Sequence, residues 1–516
     1  MDPVLQFQKA KERDTMTVYS INFGLTWANS GVEYAQAYRN QLLTQLNVDH
    51  QFIFLDFIWR HNIADLAANL GFKSDEVIWL YTFFTDQKLA PTTFTLADLQ
   101  KLFHGRLSQK LSNGNFVRFF YKEEDVFLTA YLKEEGSDIV HRVEYVSQGK
   151  LIRKDFFSYT RMFTEYYAPK DNKACLYQRR FFNEDGTLAY DELIDGDESI
   201  FRLADQICYS KEEFIAYFIR SLALSSEDMV ILDRSLGIGS AVLPYVKPAK
   251  LAVAVHAEHF VKEASKDAAV LWNNHYEYPF SHAGEVDVFL LATEKQKSVL
   301  AEQFQQFTPY RPRLVSLPVG SISRLKSPKE PRKPFSLVTA SRLVAEKQLE
   351  ILIEATVQAR QTLPDLSLDI YGQGSEESKL LQHIRENQAE DFIRLCGHQN
   401  LDELYQNYQV YVTASRSEGF GLSLMEALGS GLALIGFDVP YGNQTFIEEG
   451  KNGYLLSISD FNDGLLSQAF SQRIIDIFQS GSLESMSEAS YGKAEDFLTE
   501  RVAHKWLELL EEVTGK

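Results

Sequence analysis

The chain has 516 residues, a formal charge of −19, 45% hydrophobic and 24% charged residues. That length exceeds one ordinary core and points to two or three domains of a globular rather than disordered protein. The charge argues against general nucleic-acid binding, because phosphate backbones would be repelled, but leaves room for one local basic pocket.

Three cysteines, Cys175, Cys208 and Cys396, have neither paired nor metal-like spacing. A reduced, cytoplasmic setting follows, compatible with peripheral contact at the inner face of the cell membrane. No run of about 18 apolar residues occurs, so no transmembrane helix is expected. Residues 1–15 are polar and aperiodic and read as an added leader before a start at Met16.

In chain order, Thr17–Phe23 reads as a strand, Val32–Leu46 as an amphipathic helix and Gln51–Leu55 as a second strand, a βαβ beginning. From about residue 85 the texture changes to short aromatic-rich strands: Phe116–Tyr121, Val126–Leu132, Ile139–Ser147, Leu151–Thr160 and Ala174–Phe182. Turn signals separate them, Asn113-Gly114, Glu135-Gly136, Gln148-Gly149 and Asp185-Gly186, which predicts an antiparallel β-meander. The 36 Phe and 25 Tyr suit such a region, since aromatic side chains favour strands. Alternation of helix and strand resumes with a helix over Lys211–Ala223 and strands at Met229–Asp233, Leu251–His256, Val286–Leu291 and Leu314–Ser316. Residues 324–334 (RLKSPKEPRKP) read as a linker. A second α/β run follows, with strands Phe335–Ala340, Ser367–Tyr371, Phe392–Cys396, Val410–Thr413 and Ala433–Phe437. The expected architecture is α/β with two Rossmann-like domains facing a cleft. Its parts are an N-terminal domain of residues 16–84 and 200–325, a β-meander insertion at 85–199, a C-terminal domain at 326–490, and a final helix within 491–516 returning to the N-terminal domain.

The sharpest segment is Ser415-Arg416-Ser417-Glu418-Gly419-Phe420-Gly421-Leu422-Ser423-Leu424-Met425-Glu426. A buried strand ends just before it, and a glycine-containing loop opens a helix whose free N–H groups suit a phosphate. Thr339-Ala340-Ser341-Arg342-Leu343-Val344-Ala345-Glu346-Lys347 also follows a strand. Arg342 offers a bidentate guanidinium and Lys347 a mobile charge for a leaving diphosphate. Gly397-His398-Gln399 and Tyr371-Gly372-Gln373-Gly374 follow two further strand ends. Asn29-Ser30-Gly31-Val32-Glu33 joins the first strand to the first helix, and His256-Ala257-Glu258-His259 ends a buried strand.

The reading EGFGLSLME, two glutamates eight residues apart after a strand, is similar to the signature of retaining GT-B glycosyltransferases of family 4. The resemblance implies that Glu418 meets the donor sugar and Glu426 the ribose. It implies that Arg342 and Lys347 hold the diphosphate with the loop of Gly419, Phe420, Gly421 and Leu422, and that His398 and Gln399 frame the nucleobase. A family histidine near the reacting carbon falls on His256; a satisfied core histidine is the competing reading. The family often has Gly-Gly where this chain has Ser30-Gly31, so Ser30, Gly31 and Val32 are candidates to approach the diphosphate, with tight-turn packing as the alternative. Two cations at the diphosphate leave no need for a metal, and His256 with His259 lacks an evident third ligand. Asp195-Gly196-Asp197 resembles the metal-binding signature of the other common glycosyltransferase architecture, but without a preceding buried strand it reads as a turn.

The β-insertion, with FGLTWANSGVEYAQAYR and VPYGNQTFIEEGKNGYLL, narrows the resemblance over about 500 residues to the catalytic subunits of bacterial accessory-secretion glycosyltransferase pairs. These imply transfer of N-acetylglucosamine from UDP-GlcNAc to serine or threonine of serine-rich repeat adhesins, with a paralogous partner subunit held through the β-meander. Asn443 departs from the family, where proline is common. A wall teichoic acid glycosyltransferase acting on polyol phosphate, or a non-catalytic binding subunit, are the alternatives. The residues do not choose between UDP-GlcNAc and UDP-glucose.

Overall fold

The structure is a computed structural model that describes residues 16–27, 29–103, 107–121, 125–261, 269–458 and 463–514. The expected leader, residues 1–15, lies outside them. The described residues fall into two compact units, bounded as Met1–Ala252 with Tyr278–Val286, and Val253–Glu277 with Asp287–Lys516.

The first sheet has seven strands: β1 (Thr17–Asn22), β2 (Asp49–Phe54), β3 (Val77–Trp79), β14 (Met229–Leu232), β15 (Lys250–Val255), β16 (Val288–Leu291) and β17 (Leu314–Ser316). Their order is β17-β16-β15-β14-β1-β2-β3. β1 pairs in parallel with both β14 and β2, and the unit boundary falls within β15. β14 and β16 are apolar runs buried along their whole length, as parallel strands covered on both faces require.

Between β3 and β14 the chain makes a ten-stranded antiparallel meander among the described residues. It comprises β4 (Leu107–Asn113), β5 (Phe116–Tyr121), β6 (Val126–Leu132), β7 (Val140–Ser147), β8 (Lys150–Phe157), β9 (Arg161–Lys170), β10 (Lys173–Phe182), β11 (Leu188–Asp195), β12 (Glu198–Arg202) and β13 (Ile207–Cys208). Each strand pairs with its sequence neighbour. Alternate side chains of β5 and β6 (Val117, Phe119, Leu128, Ala130, Leu132) build one core. Toward β13 the meander packs on the helices Leu80–Phe83 and Lys211–Ser221: Phe201 stacks on Phe214 at 4.2 Å, and Tyr190 donates to Tyr81 O. Asp195-Gly196-Asp197 forms the turn between β11 and β12, with Gly196 at φ 64°.

The sequence reading expected fewer strands here. Leu151–Thr160 was one expected strand; the chain turns at Ser158–Thr160 and returns as β9 without a glycine or proline to mark the reversal. β11 carries Asp191 and Glu192, a polar signature, yet both are buried because Arg202 and Gln178 bind Asp191 and Arg179 binds Glu192.

The third sheet is parallel throughout: β18 (Ser336–Ala340), β19 (Ser367–Tyr371), β20 (Ile393–Leu395), β21 (Val410–Thr413), β22 (Ala433–Phe437) and β23 (Gly453–Leu456), ordered β20-β19-β18-β21-β22-β23. Its core runs from Leu337 through Ile353, Val410 and Ile435 to Phe470. The proline-rich stretch 324–334 is pinned rather than free: Arg332 donates to Tyr408 O and Ser430 O. The last helix, Thr499–Thr514, is tied at its start by Thr499 N–H to Ile322 O. No helix among the described residues is long and apolar enough to cross a membrane.

Candidate active site

The third sheet reverses its winding between β18 and β21, with β19 and β20 on one side and β22 and β23 on the other. Open parallel sheets place ligands at the carboxyl ends of the strands that flank such a reversal. The two sharpest motifs leave β18 and β21, so the fold delivers them to one edge. There Lys347 Nζ and Glu418 Oε2 meet at 2.8 Å, with side chains 17% and 21% exposed. Next to this pair, Arg416 Nε donates to Gln348 Oε1 at 2.8 Å. Arg342 is exposed and makes no ion pair among the described residues, which leaves its guanidinium available for an anion.

The loops around this pair are locked to one another. Leu343 N–H donates to Gln373 O at 2.9 Å, and Gly372 N–H to Gly397 O at 2.8 Å. Gly372 has φ 136°, and a β-carbon there would collide with Ser341 O. The Arg342 loop, the Tyr371–Gly374 loop and the Gly397–Gln399 loop therefore form one chain of backbone contacts. His398 and Gln399 are exposed at its end, with Gln399 Nε2 donating to Cys396 O.

The helix expected to open near Phe420 spans Leu422–Gly429, with Gly421 as its cap at φ 90°. Phe420 is 4% exposed and its ring packs edge-on to Phe446 at 5.1 Å, so only its backbone is placed at the loop. Leu422 is half-buried, as is Glu426 in the second turn. Beneath the loop, the Tyr411 hydroxyl donates to Ser423 Oγ at 2.8 Å, and burial pushes its pKa up to about 12.

His256 follows β15 in the same unit. Gly419 packs directly on its carbonyl: a β-carbon at Gly419 would lie 2.1 Å from His256 O. The neighbouring peptide is clamped on both sides: Ala257 N–H donates to the Tyr276 hydroxyl, and Gln296 Nε2 donates to Ala257 O. His259 is fully buried, with Nε2 at 2.8 Å from Gln303 Oε1 and Nδ1 at 3.2 Å from the Tyr441 hydroxyl. Both its nitrogens are thus engaged by neutral groups. Among the described residues no group of three His, Cys, Asp or Glu is placed to hold a metal. Sequence reading missed His259, Tyr441 and Gln303 as a group; their separation along the chain left no local signal.

The first unit holds the other candidate residues. Ser30 caps the helix Gly31–Gln45, and Glu33 completes a capping box by accepting from Ser30 N at 2.7 Å. Ser30 Oγ accepts from Val32 N, so both of these amides are used internally while Gly31 N is not part of the box. A β-carbon on Gly31 would meet nothing within 4 Å. Tight packing is therefore not what selects glycine there. Burial alone would raise the Glu33 carboxyl; hydrogen bonds from Asn22 and Ser30 and the Arg234 charge at 3.0 Å hold it below its ordinary range. Behind it, Arg39 grips Asp233 through two bonds of 2.8 and 2.9 Å, and Gln36 donates to the same carboxylate. Arg234 and Asp233 follow β14 immediately, a position the sequence reading passed over.

Residues 109–205 match the family described as GtfA extended beta-sheet domain, and residues 323–491 match glycosyl transferases group 1. The chain is 53% identical over 500 residues to the UDP-N-acetylglucosamine–peptide N-acetylglucosaminyltransferase GtfA subunit of Streptococcus gordonii, covering 96% of this chain and 99% of that one. Among solved structures it is similar to the pneumococcal O-GlcNAc transferase GtfA in complex with UDP and GlcNAc, with TM-score 0.93 and 50% identity over 98% of this chain and 100% of that chain. It is also similar to a chain of a GtfA/B complex, with TM-score 0.92 and 52% identity over 97% of this chain and 100% of that chain.

Proposed function

The chain belongs to the family of GtfA subunits of UDP-N-acetylglucosamine–peptide N-acetylglucosaminyltransferases, and from that premise we propose that it moves GlcNAc from UDP-GlcNAc, with retention, to serine or threonine of a serine-rich repeat adhesin. The observation that carries the reading is the Lys347–Glu418 pair at the winding reversal of the third sheet, with the exposed Arg342 on the same loop as Lys347.

Departure of UDP builds negative charge on the diphosphate. Arg342 and Lys347 stabilise that charge without reorganising, together with the amides of Gly419, Phe420, Gly421 and Leu422 at the helix start. Glu418, tethered by Lys347, receives the sugar, and His256 lies beside the reacting carbon. Glu426 binds the ribose, His398 and Gln399 flank the nucleobase, and Ser30, Gly31 and Val32 approach the diphosphate. No metal takes part in this scheme, because the cations of the chain supply the charge. The leaving phosphate takes the acceptor hydroxyl proton on the same face as the departing bond.

Residues 326–490 act as the nucleotide-sugar domain, and residues 16–84 with 200–325 as the acceptor domain. A paralogous GtfB-like partner docks on the meander. Its support is a family member crystallised as a GtfA/B complex and the exposed apolar side chains Leu111, Ile152, Tyr177 and Leu188 of β4, β8, β10 and β11. The site of action is the cytoplasm, at the inner membrane face where secretion begins. Kinship with peptide transferases at 53% identity disfavours a polyol phosphate acceptor.

The test is UDP release from UDP-GlcNAc or UDP-glucose with a serine-rich repeat acceptor, with and without the partner, in EDTA. Acceptor-dependent release from UDP-GlcNAc, raised by the partner, is expected. Turnover only with polyol phosphate would overturn the acceptor, and loss of activity in EDTA would overturn the metal-free scheme.

A further inference from the structure

Tyr441 has φ 75° and ψ −95°, a compact turn conformation that is rare and strained for a residue carrying a β-carbon. Such strain persists only where the surroundings over-determine it, so the contacts of Tyr441 identify what it holds. On the backbone side, Tyr441 forms a parallel bridge with Glu418, and Gly442 N–H donates to Glu418 O at 2.8 Å. A β-carbon at Gly442 would collide with Phe420 O and press on Glu418 Cγ. The strained turn thus lies against the stem of the side chain that pairs with Lys347.

On the side-chain side, Tyr441 is 1% exposed and its hydroxyl reaches His259 Nδ1. With His259 Nε2–H donating to Gln303 Oε1, Nδ1 keeps its lone pair and accepts from the tyrosine hydroxyl. Burial holds the His259 pKa down to about 4, so the ring is neutral at neutral pH and this direction is kept. His259 lies three residues after His256, and Gly419 packs on the carbonyl of His256. The Glu418 loop is therefore tied to the histidine segment twice, once by backbone contact and once by this hydrogen bond. A buried polar pair is an expensive way to fill space that phenylalanine and leucine would fill, which points to a geometric role.

We propose that Tyr441 and His259 are positioning residues for sugar transfer: their hydrogen bond fixes the Glu418 loop against the His256 segment, so that the two side chains address one sugar carbon. The inference rests on the function proposed above. Neither is among the residues proposed to hold UDP, so their loss is expected to act on the chemical step rather than on UDP affinity.

The experiment compares the wild-type complex with its partner against Tyr441→Phe, His259→Phe and the double variant, measuring kcat, KM for UDP-GlcNAc, UDP affinity and Tm. His259→Gln, which can still accept a hydrogen bond, serves as the conservative rescue. Tyr441→Phe is expected to lower kcat about 10- to 100-fold, the scale of a displacement near 1 Å at a reacting centre, with UDP affinity unchanged. The double variant should fall no further than the worse single one, and His259→Gln should recover part of the loss. Wild-type kcat in Tyr441→Phe, or a fall in Tm alone, overturns the inference while leaving the function intact. Loss of UDP affinity in step with kcat overturns it as well, because the pair would then hold the nucleotide site. A wild-type complex that transfers no GlcNAc removes the function and this inference together.

Discussion

Gly419→Ala is the most direct probe of how the site is held. The backbone of Gly419 is outside the left-handed region, so alanine brings no conformational strain of its own. What it brings is a β-carbon 2.1 Å from His256 O, 3.1 Å from His256 C and 3.2 Å from Ala257 Cα. Carbon–oxygen contacts settle at roughly 3.3 Å, so the two segments must part by about 1 Å. The His256 side cannot yield cheaply, because Tyr276 and Gln296 clamp the Ala257 peptide. Overpacking of this kind costs about 1–3 kcal/mol of stability. Displacing Glu418 from His256 by about 1 Å should slow transfer by about 100-fold. Steady-state UDP release with acceptor and partner gives kcat, calorimetry gives UDP affinity, and thermal melting gives the folded fraction. Wild-type kcat in a folded Gly419→Ala protein would refute the claim that the His256–Gly419 contact sets the reacting geometry.

Gly31→Ala should leave the fold intact or stabilise it by about 0.4–1 kcal/mol, since the added carbon meets nothing within 4 Å and the backbone is helical; if the loop approaches the diphosphate, KM for UDP-GlcNAc rises. An unchanged KM removes Gly31 from the donor site. Glu418→Gln should abolish transfer while sparing UDP binding, and weaker UDP binding with normal turnover would contradict its role at the sugar. Lys347→Ala should lower kcat/KM by about 10²–10³-fold and weaken UDP binding, as expected for one lost donor at a developing charge; unchanged kinetics would exclude Lys347 from the site. Because His259 titrates near 4 in the folded chain and near 6.5 unfolded, the unfolded state binds more protons between those values. Stability is then full above about pH 6.5 and declines as pH falls toward 4, by about 2 kcal/mol at pH 5 from this one group. His259→Gln should flatten the denaturation profile over that window, and an unaltered profile would refute the assignment.

Where patterning is local, sequence and structure coincide. Phe116–Tyr121, Val126–Leu132, Ser367–Tyr371, Val410–Thr413 and Ala433–Phe437 are strands with the bounds read from the chain. These segments alternate or run apolar between clear turn residues, so nothing non-local decides them. β4 and β11 escaped because their polar residues look solvent-facing. In β11 the burial of Asp191 and Glu192 depends on Arg202 and Arg179, partners that lie on neighbouring strands. β9 escaped because its turn is made by Ser158, Tyr159 and Thr160, without the glycine, proline, asparagine or aspartate that mark turns most strongly. A strand whose boundary is set by pairing rather than by its own residues cannot be read from those residues.

The same distinction separates the legible from the illegible parts of the site. Glu418, Lys347 and Arg342 were visible because each sits at a strand end in a recognisable local pattern. Their mutual placement was not, because it is made by backbones approaching one another across loops. Gly372 against Ser341 O, Gly419 against His256 O and Gly442 against Phe420 O are three such approaches, and in each a β-carbon has no room. In sequence these are only glycines, and a glycine does not say whether it serves a turn or a neighbour. The polar residues that finish the arrangement are likewise distant: Tyr441 and His259 are 182 positions apart. Charged residues therefore announce the chemistry, while glycines and buried neutral pairs set its geometry. The consequence is that substitutions at Gly419, Gly442 and Tyr441 should affect rate more than nucleotide affinity, whereas those at Gly372, Arg342 and Lys347 should affect both.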